Sequence, residues 1–205
     1  PNLGYQGSDF FTYTVRDTQG FKDSSFVLVD VRLMPDPASV APEVSEDEPT
    51  SVADAAAFRT SGPNATQLNL QPGALQTERV SLIAGTVLDD AGAPLESATV
   101  RVVGSPELGI TASRADGRFE IVVNGGGTLT LAVAKSGYFD VQRAVAVAWD
   151  ETVTLAPVRL SQPDSVTTTV PVGPRSVVNH AGSVQTDANG ARQARITLPA
   201  ETTVN

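Results

Sequence analysis

Thr111-Ala112-Ser113-Arg114-Ala115-Asp116-Gly117-Arg118-Phe119-Glu120-Ile121-Val122-Val123-Asn124-Gly125-Gly126-Gly127 sets the reading of the fold. Asp116-Gly117 stands between two runs of alternating residues. An Asp-Gly pair there predicts a tight hairpin, because both residues tolerate positive φ. Asn124-Gly125-Gly126-Gly127 predicts a second turn. Upstream, Val80 to Leu88 reads as a strand with Ile83, Gly85 and Val87 on one face, closed by the turn Asp89-Asp90-Ala91-Gly92. Ala98 to Val103 follows and ends at Gly104-Ser105-Pro106. Downstream, Thr128 to Ala134 places Leu129, Leu131 and Val133 on one face, and Val141 to Trp149 and Thr152 to Leu160 complete the unit. About seven short strands at this spacing predict a β-sandwich.

Composition supports strands throughout. The 205 residues hold 27 Val and 21 Thr against one Met and two Lys, and 17 Gly with 14 Pro supply turns. A formal charge of -9 excludes the basic face of a nucleic-acid binder. The absence of Cys excludes disulfides, thiolate metal sites and Cys nucleophiles. No apolar run approaches the roughly 20 residues that a spanning helix needs. Pro1 opens the chain and Asn205 ends it without a closing signal, so it is read as a segment of a longer polypeptide.

Outside the central unit the pattern changes twice. In residues 1–34, Phe11, Tyr13 and Val15 alternate with Thr12, Thr14 and Arg16. Asp17-Thr18-Gln19-Gly20 makes a turn, and Ser25 to Leu33 alternates again. Two strands alone are marginal in water, so this hairpin is expected to need partner strands or a neighbouring domain. Residues 35–79 lose periodicity: Pro35, Pro37, Pro42 and Pro49 interrupt them, and four carboxylates fall between Glu43 and Glu48, as in a solvated linker. Ser51 to Phe58 reads as a short helix capped by Ser51. Asn64-Ala65-Thr66 is a sequon-like triplet. Residues 161–205 resume strands, with Val166 to Val172 alternating and a hairpin around Asp187-Ala188-Asn189-Gly190.

Three resemblances follow from these stretches. Gly4-Tyr5-Gln6-Gly7-Ser8-Asp9-Phe10-Phe11-Thr12-Tyr13-Thr14-Val15-Arg16-Asp17-Thr18-Gln19-Gly20 resembles the closing strands of Ig-like or cadherin-like repeats. In such repeats, acids near module junctions bind calcium. The resemblance therefore marks Asp9 and Asp17 as calcium ligands, beside the alternative that both are turn residues satisfying local N–H groups. Ile83-Ala84-Gly85-Thr86-Val87-Leu88-Asp89, Gly92 to Val100, Ala115 to Phe119 and Lys135-Ser136-Gly137-Tyr138 resemble the carboxypeptidase regulatory-like domain, a transthyretin-like sandwich. Arg114 to Phe119, Val123 to Gly127, Gly137-Tyr138, Gln142-Arg143 and Val147-Ala148-Trp149 are similar to the form of that domain found ahead of the barrel in RHS/YD-repeat proteins, the bacterial relatives of teneurins. The Thr186-Asp187-x-x-Gly190-x-Arg192 turn resembles the segment after it, although Glu201 stands where that family has Gly.

The catalytic inventory is thin. His180 is the single imidazole, and no Gly-x-Ser-x-Gly elbow surrounds a serine. Asp89-Asp90 and Asp150-Glu151 are adjacent acids that read as turn residues, and Asn124 to Gly127 lacks the Lys of a phosphate loop. Trp149 has two readings: packing in the core or at a domain interface, or stacking on a glycan.

The expected architecture is all-β, in tandem sandwich modules: the end of an Ig/cadherin-like module at 1–34, a Pro/acid-rich linker at 35–79, a transthyretin-like sandwich at 80–160 and an incomplete β module at 161–205. The expected function is a non-catalytic spacer in a large exported bacterial surface or toxin-delivery protein. The alternative is a carbohydrate- or calcium-dependent adhesion module. Expected partners are neighbouring domains of the same polypeptide and a cell-surface glycan or protein, with no nucleic acid, no membrane insertion and no cofactor beyond calcium. The expected location is extracellular or at the cell surface.

Overall fold

The computed structural model describes residues 7–31, 34–43, 47, 49–170 and 176–202. Gly4, Tyr5, Gln6, Glu46, Glu48 and Val172, which enter the sequence readings above, lie outside them. The described chain is mostly β-strand, arranged in several sheets.

The first hairpin forms as its alternation predicts. β1 (Gly7–Arg16) pairs antiparallel with β2 (Lys22–Val31), and Gly20 takes φ +95 in the turn between them. Register places Phe11 opposite Val27 and Phe10 opposite Leu28, so both faces carry apolar side chains. These side chains are exposed on both faces.

Residues 35–79 depart from the expected linker. A short α1 (Pro37–Val40) begins behind the Asp36 cap, and α2 (Val52–Thr60) begins at Ser51, whose Oγ accepts from the Asp54 N–H at 3.1 Å. α2 buries Ala56 against Val80 and Val122, covering the outer face of the sandwich. Pro37 starts α1, and this aperiodic stretch still buries surface on the sandwich.

The sandwich comprises β3 (Val80–Leu88), β4 (Thr99–Val102), β5 (Ile110–Ala112), β6 (Arg118–Asn124), β7 (Gly127–Ala134), β8 (Val141–Val147), β9 (Thr152–Thr154) and β10 (Val158–Arg159). In one sheet β3 is flanked by β6 on one side and by β9 and β10, both parallel to it, on the other. The second sheet has the order β5-β4-β7-β8. Alternate residues of both sheets meet in one core, including Ile83, Val87, Val100, Phe119, Ile121, Leu131, Val133 and Leu160. Gly85 lies opposite Phe119 in register, and a methyl at Gly85 would come within 2.7 Å of the buried ring.

The expected hairpin at Asp116-Gly117 is corrected. Residues 114–117 do turn: Gly117 N–H donates to the Arg114 carbonyl at 2.8 Å, and Gly117 has φ +77. However, β5 pairs with β4 and β6 pairs with β3. The turn is therefore a corner between sheets, and Asn124 to Gly127 is a second corner, from β6 to β7. The reason is that Ser113 N–H already bonds Ala98 O, which commits the chain before the turn to the β4 side.

The adjoining edges β5 and β6 are closed by Thr66-Gln67-Leu68. Leu68 exchanges both backbone hydrogen bonds with Ile110 on β5, at 2.8 and 2.9 Å. The Gln67 side chain serves β6 as a strand would: Oε1 accepts from Val122 N–H at 2.6 Å, and Nε2 donates to Val122 O at 2.9 Å and to Leu108 O at 2.7 Å. Thr111 Oγ1 donates to Thr66 O at 3.0 Å, and its contact with Met34 Sδ at 3.8 Å extends the clasp upstream.

Beyond Ser161, β11 (Val178–Ala181) pairs with β14 (Arg195–Leu198) around the small hairpin of β12 (Gln185–Asp187) and β13 (Gly190–Arg192). Residues 166–170, expected as part of a strand, form no strand among the described residues. Asp164 anchors this region by accepting the N–H groups of Val166 at 2.9 Å and Ser183 at 2.7 Å.

Three outcomes follow. Gln67→Leu leaves buried backbone groups of Val122 and Leu108 unpaired, so stability falls by about 2–4 kcal/mol, measured by urea unfolding. Gly85→Ala forces Phe119 from its position and costs roughly 1–3 kcal/mol, read from the same transition. The two amides hold the Asp164 carboxyl below its usual range. A depressed carboxyl pKa stabilises above the unfolded value, about 3.9, and this contribution is lost as pH falls through the folded one. The amide protons of Val166 and Ser183 should therefore titrate together by NMR, with a shared midpoint under the ordinary Asp value.

Candidate functional site

The acids singled out in the sequence serve the backbone. Asp17 Oδ1 accepts from Gln19 and Phe21 N–H, each at 2.9 Å, and Asp9 Oδ1 accepts from Phe10 N–H at 2.8 Å. They stand at opposite ends of β1, roughly 25 Å apart at strand rise, so the structure does not bring them together as ligands of one ion. Asp89 Oδ1 accepts from Ala93 N–H and Asp90 Oδ1 from Ser161 Oγ, in the turn the sequence suggests. Among the described residues, no three His, Asp or Glu side chains gather as a metal site would need.

His180 lies half-buried on β11, and its Nδ1 is 2.9 Å from Thr168 Oγ1. The Asp164 carboxylate nearby is engaged by the amides of Val166 and Ser183. Thr168 thus occupies the ring nitrogen that an orienting carboxylate would take in a nucleophile–base–acid set.

A charge group that sequence reasoning missed sits on the β6 side. Arg114 donates to Glu120 from Nη1 at 2.7 Å and from Nη2 at 3.2 Å, with both side chains largely buried. Burial opposes the charge on Arg114, but the hydrogen bonds and charge of Glu120 outweigh it and leave its pKa raised. Burial lowers the pKa of Arg59 from α2, with Glu120 opposing that shift. The Arg114–Glu120 pair ties the two sides of the β5–β6 corner together. Its partners are six residues apart within one corner, a spacing that carries no motif.

Trp149 is at the end of β8, at the pole where the β6–β7 corner and the residue 148–151 turn meet. It is 58% exposed, so it is not a core residue. The indole lies against Gly126, which has φ +103 and where a methyl would overlap Nε1. The Arg79 guanidinium is 5.9 Å from the ring centroid, within cation–π range. Arg79 is itself fixed, with Nε and Nη2 on Gly125 O at 3.1 and 2.9 Å and Nη1 on Gln76 Oε1 at 3.3 Å. Behind the ring, Ala148 O accepts from Ser81 Oγ and Ala148 N–H donates to Glu151 Oε2. Asp150 takes φ +51 and its Oδ1 accepts from Val52 N–H at 2.7 Å, so a carboxylate caps the start of α2.

Comparison with known proteins addresses the sandwich. Residues 75–160 match the family described as Teneurin TTR-like domain. Teneurin-3 of Danio rerio is 33% identical over 123 residues, 57% of this chain and 4% of that protein. Teneurin-m of Drosophila melanogaster is 35% identical over 95 residues, 44% of this chain and 3% of that protein. The chain therefore spans only a few per cent of the length of these curated relatives. Among solved structures, catechol 1,2-dioxygenase from Pseudomonas arvilla C-1 aligns with a TM-score of 0.37 and 12% identity over 49% of this chain and 57% of that one, a likeness too slight to carry an argument. The central unit, residues 75–160, is thus similar in sequence to the teneurin TTR-like domain, and it folds as the two-sheet sandwich that such a domain implies.

Proposed function

We propose that this chain is a non-catalytic spacer and scaffold within a large cell-surface protein. The observation that carries the reading is the continuous core of the sandwich with both flanking segments bonded to it. Upstream, Met34 touches Thr111 on β5 and Val52 is tied to Asp150. Downstream, Ser161 O accepts from Phe139 N–H. A rigid body to which both flanking segments are bonded fixes where its neighbours leave it. The similarity to teneurins supports placement in a large surface protein, exported to the cell exterior.

The finer assignments belong to the same reading. The parent is an RHS/YD-repeat protein of bacterial origin, acting at the surface or in toxin delivery; the support is the sequence resemblance at Arg114 to Phe119, Val123 to Gly127 and Thr186 to Arg192, while the relatives matched are animal teneurins. Residues 1–34 close an Ig/cadherin-like module whose other strands cover the apolar faces of β1 and β2. Residues 161–205 open the following β module. The partners are these neighbouring modules.

Domain replacement in the parent polypeptide tests the spacer role. An unrelated β-sandwich with a similar separation of ends, put in place of residues 51–160, should preserve secretion and folding of the flanking modules, whereas deletion should lower both. Equal loss in the replacement and the deletion would overturn the reading.

A further inference from the structure

We propose that Trp149 is the platform of a saccharide-binding site at the sandwich pole formed with Arg79, Gln76, Gly125, Gly126 and Asp150. This goes beyond the spacer role, and its failure would leave that role standing. The first ground is the conflict between exposure and immobilisation. Burying an aromatic ring is among the larger gains open to a small domain, yet this ring stays 58% exposed. It is nonetheless held in place. A glycine makes room beneath it, a cation fixed by three hydrogen bonds lies beside it, and Asp150 takes the left-handed backbone conformation uncommon for a residue with a side chain. An exposed group fixed before the ligand arrives loses little freedom on binding.

The second ground is the company the indole keeps. Protein interfaces gather several large apolar side chains in a desolvated centre. Here the outward residues toward the Trp149 end of β8 are Ala144 and Ala146, followed by Ala148, and their β7 neighbours are Thr130 and Thr128. The other exposed large hydrophobics of the sandwich are Leu68, Val103 and Phe139, each from a different strand or loop. A lone ring with a guanidinium 5.9 Å from its centroid, and with Gln76 and Asp150 on the neighbouring segments, suits a ligand that has an apolar C–H face and a polar rim, as a pyranose does. The C–H face lies on the indole. The hydroxyls meet Arg79, Gln76 and Asp150, whose groups supply both donors and acceptors. The third ground is position: the chain leaves the sandwich at Ser161, at the opposite end of β8, so the segment that follows does not exit across this pole.

Trp149 is the sole tryptophan in the chain, so its emission reports on this site alone. The full chain is titrated with cellohexaose, maltohexaose, chitohexaose and sialyllactose at millimolar concentrations. In parallel, the amide shifts of Gly125, Gly126 and Gly127 are followed by NMR. At least one sugar should give a saturable shift of Trp149 emission, with a dissociation constant of about 0.1–10 mM, as a shallow single-ring site implies. The three glycine amides should move with the same constant. Trp149→Ala should abolish the amide shifts at unchanged melting temperature, and Arg79→Lys, measured well below its own melting temperature, should weaken binding about threefold or more. If Trp149→Ala lowers the melting temperature, Trp149→Phe, which keeps a ring on Gly126, should retain the glycine shifts at reduced affinity. No response to any of the four sugars, shifts outside this pole only, or shifts that persist in Trp149→Ala would overturn the proposal. So would emission that follows protein concentration instead of sugar, because the pole would then be a protein interface.

Discussion

A sandwich of two short sheets has two open sides, and in this chain one of them is closed by three residues that belong to neither sheet. β5 and β6 are edge strands with backbone groups to satisfy, and they adjoin because the residue 114–117 corner joins them. Leu68 pairs with Ile110 on one edge, and the Gln67 amide pairs with Val122 on the other. An amide side chain carries the same donor and acceptor as a peptide unit, so it can complete a ladder where a backbone strand has no room. The bonds are buried, where a lost partner costs most. Registration of the two sheets, cover of the outer face by α2 and placement of the Arg114–Glu120 pair all follow from the path this segment takes. Packing on the sandwich therefore reaches upstream of the stretch that matches the teneurin family, to α2 and to Met34.

The strands of the central unit could be read from sequence because each has one buried face and one that is wet. Ile83, Gly85 and Val87 repeat at period two because that is the period at which side chains return to one side of a sheet. The Ser51 cap could be read for an equally local reason: a hydroxyl reaches the amide three residues on. Pairing could not. Asp116-Gly117 specifies a turn, but whether the strands beside it pair or part depends on which edges are already taken, and Ala98 had taken Ser113. Gln67 was illegible for a related reason: a polar residue in an aperiodic, proline-interrupted stretch looks solvated until its partners, some 41 and 55 residues away, are known. For Trp149, the sequence left core packing and surface stacking open, since only the fold sets its exposure.

Stability is unevenly spread along the chain. β1 and β2 form ten-residue strands in full register, yet Phe10, Phe11 and Phe26 remain exposed, and the sheets beyond Ser161 are two-stranded. Such ribbons gain backbone hydrogen bonds but bury little apolar surface, which leaves them marginal by themselves. The sandwich buries a continuous core and a second cluster beneath α2. Local opening thus concentrates in the flanks, and the sandwich is the part held by a continuous core.

A spacer still has surface to offer, and the pole at Trp149 shows how that surface is made without weakening the core. The β6–β7 corner must bring the chain close to the residue 148–151 turn, and Gly125 N–H and O are both used by Arg79. A side chain at Gly125 would overlap Ala148 O, and one at Gly126 would overlap the indole. The two glycines thus serve one purpose, drawing corner and turn together until the ring rests on backbone. Positive φ costs little at a glycine, so Gly126 adds no strain of its own there. The strain falls on Asp150, whose left-handed backbone is held by the bond from Val52 that also starts α2. The interaction that anchors the outer helix is therefore the one that fixes the turn presenting Trp149.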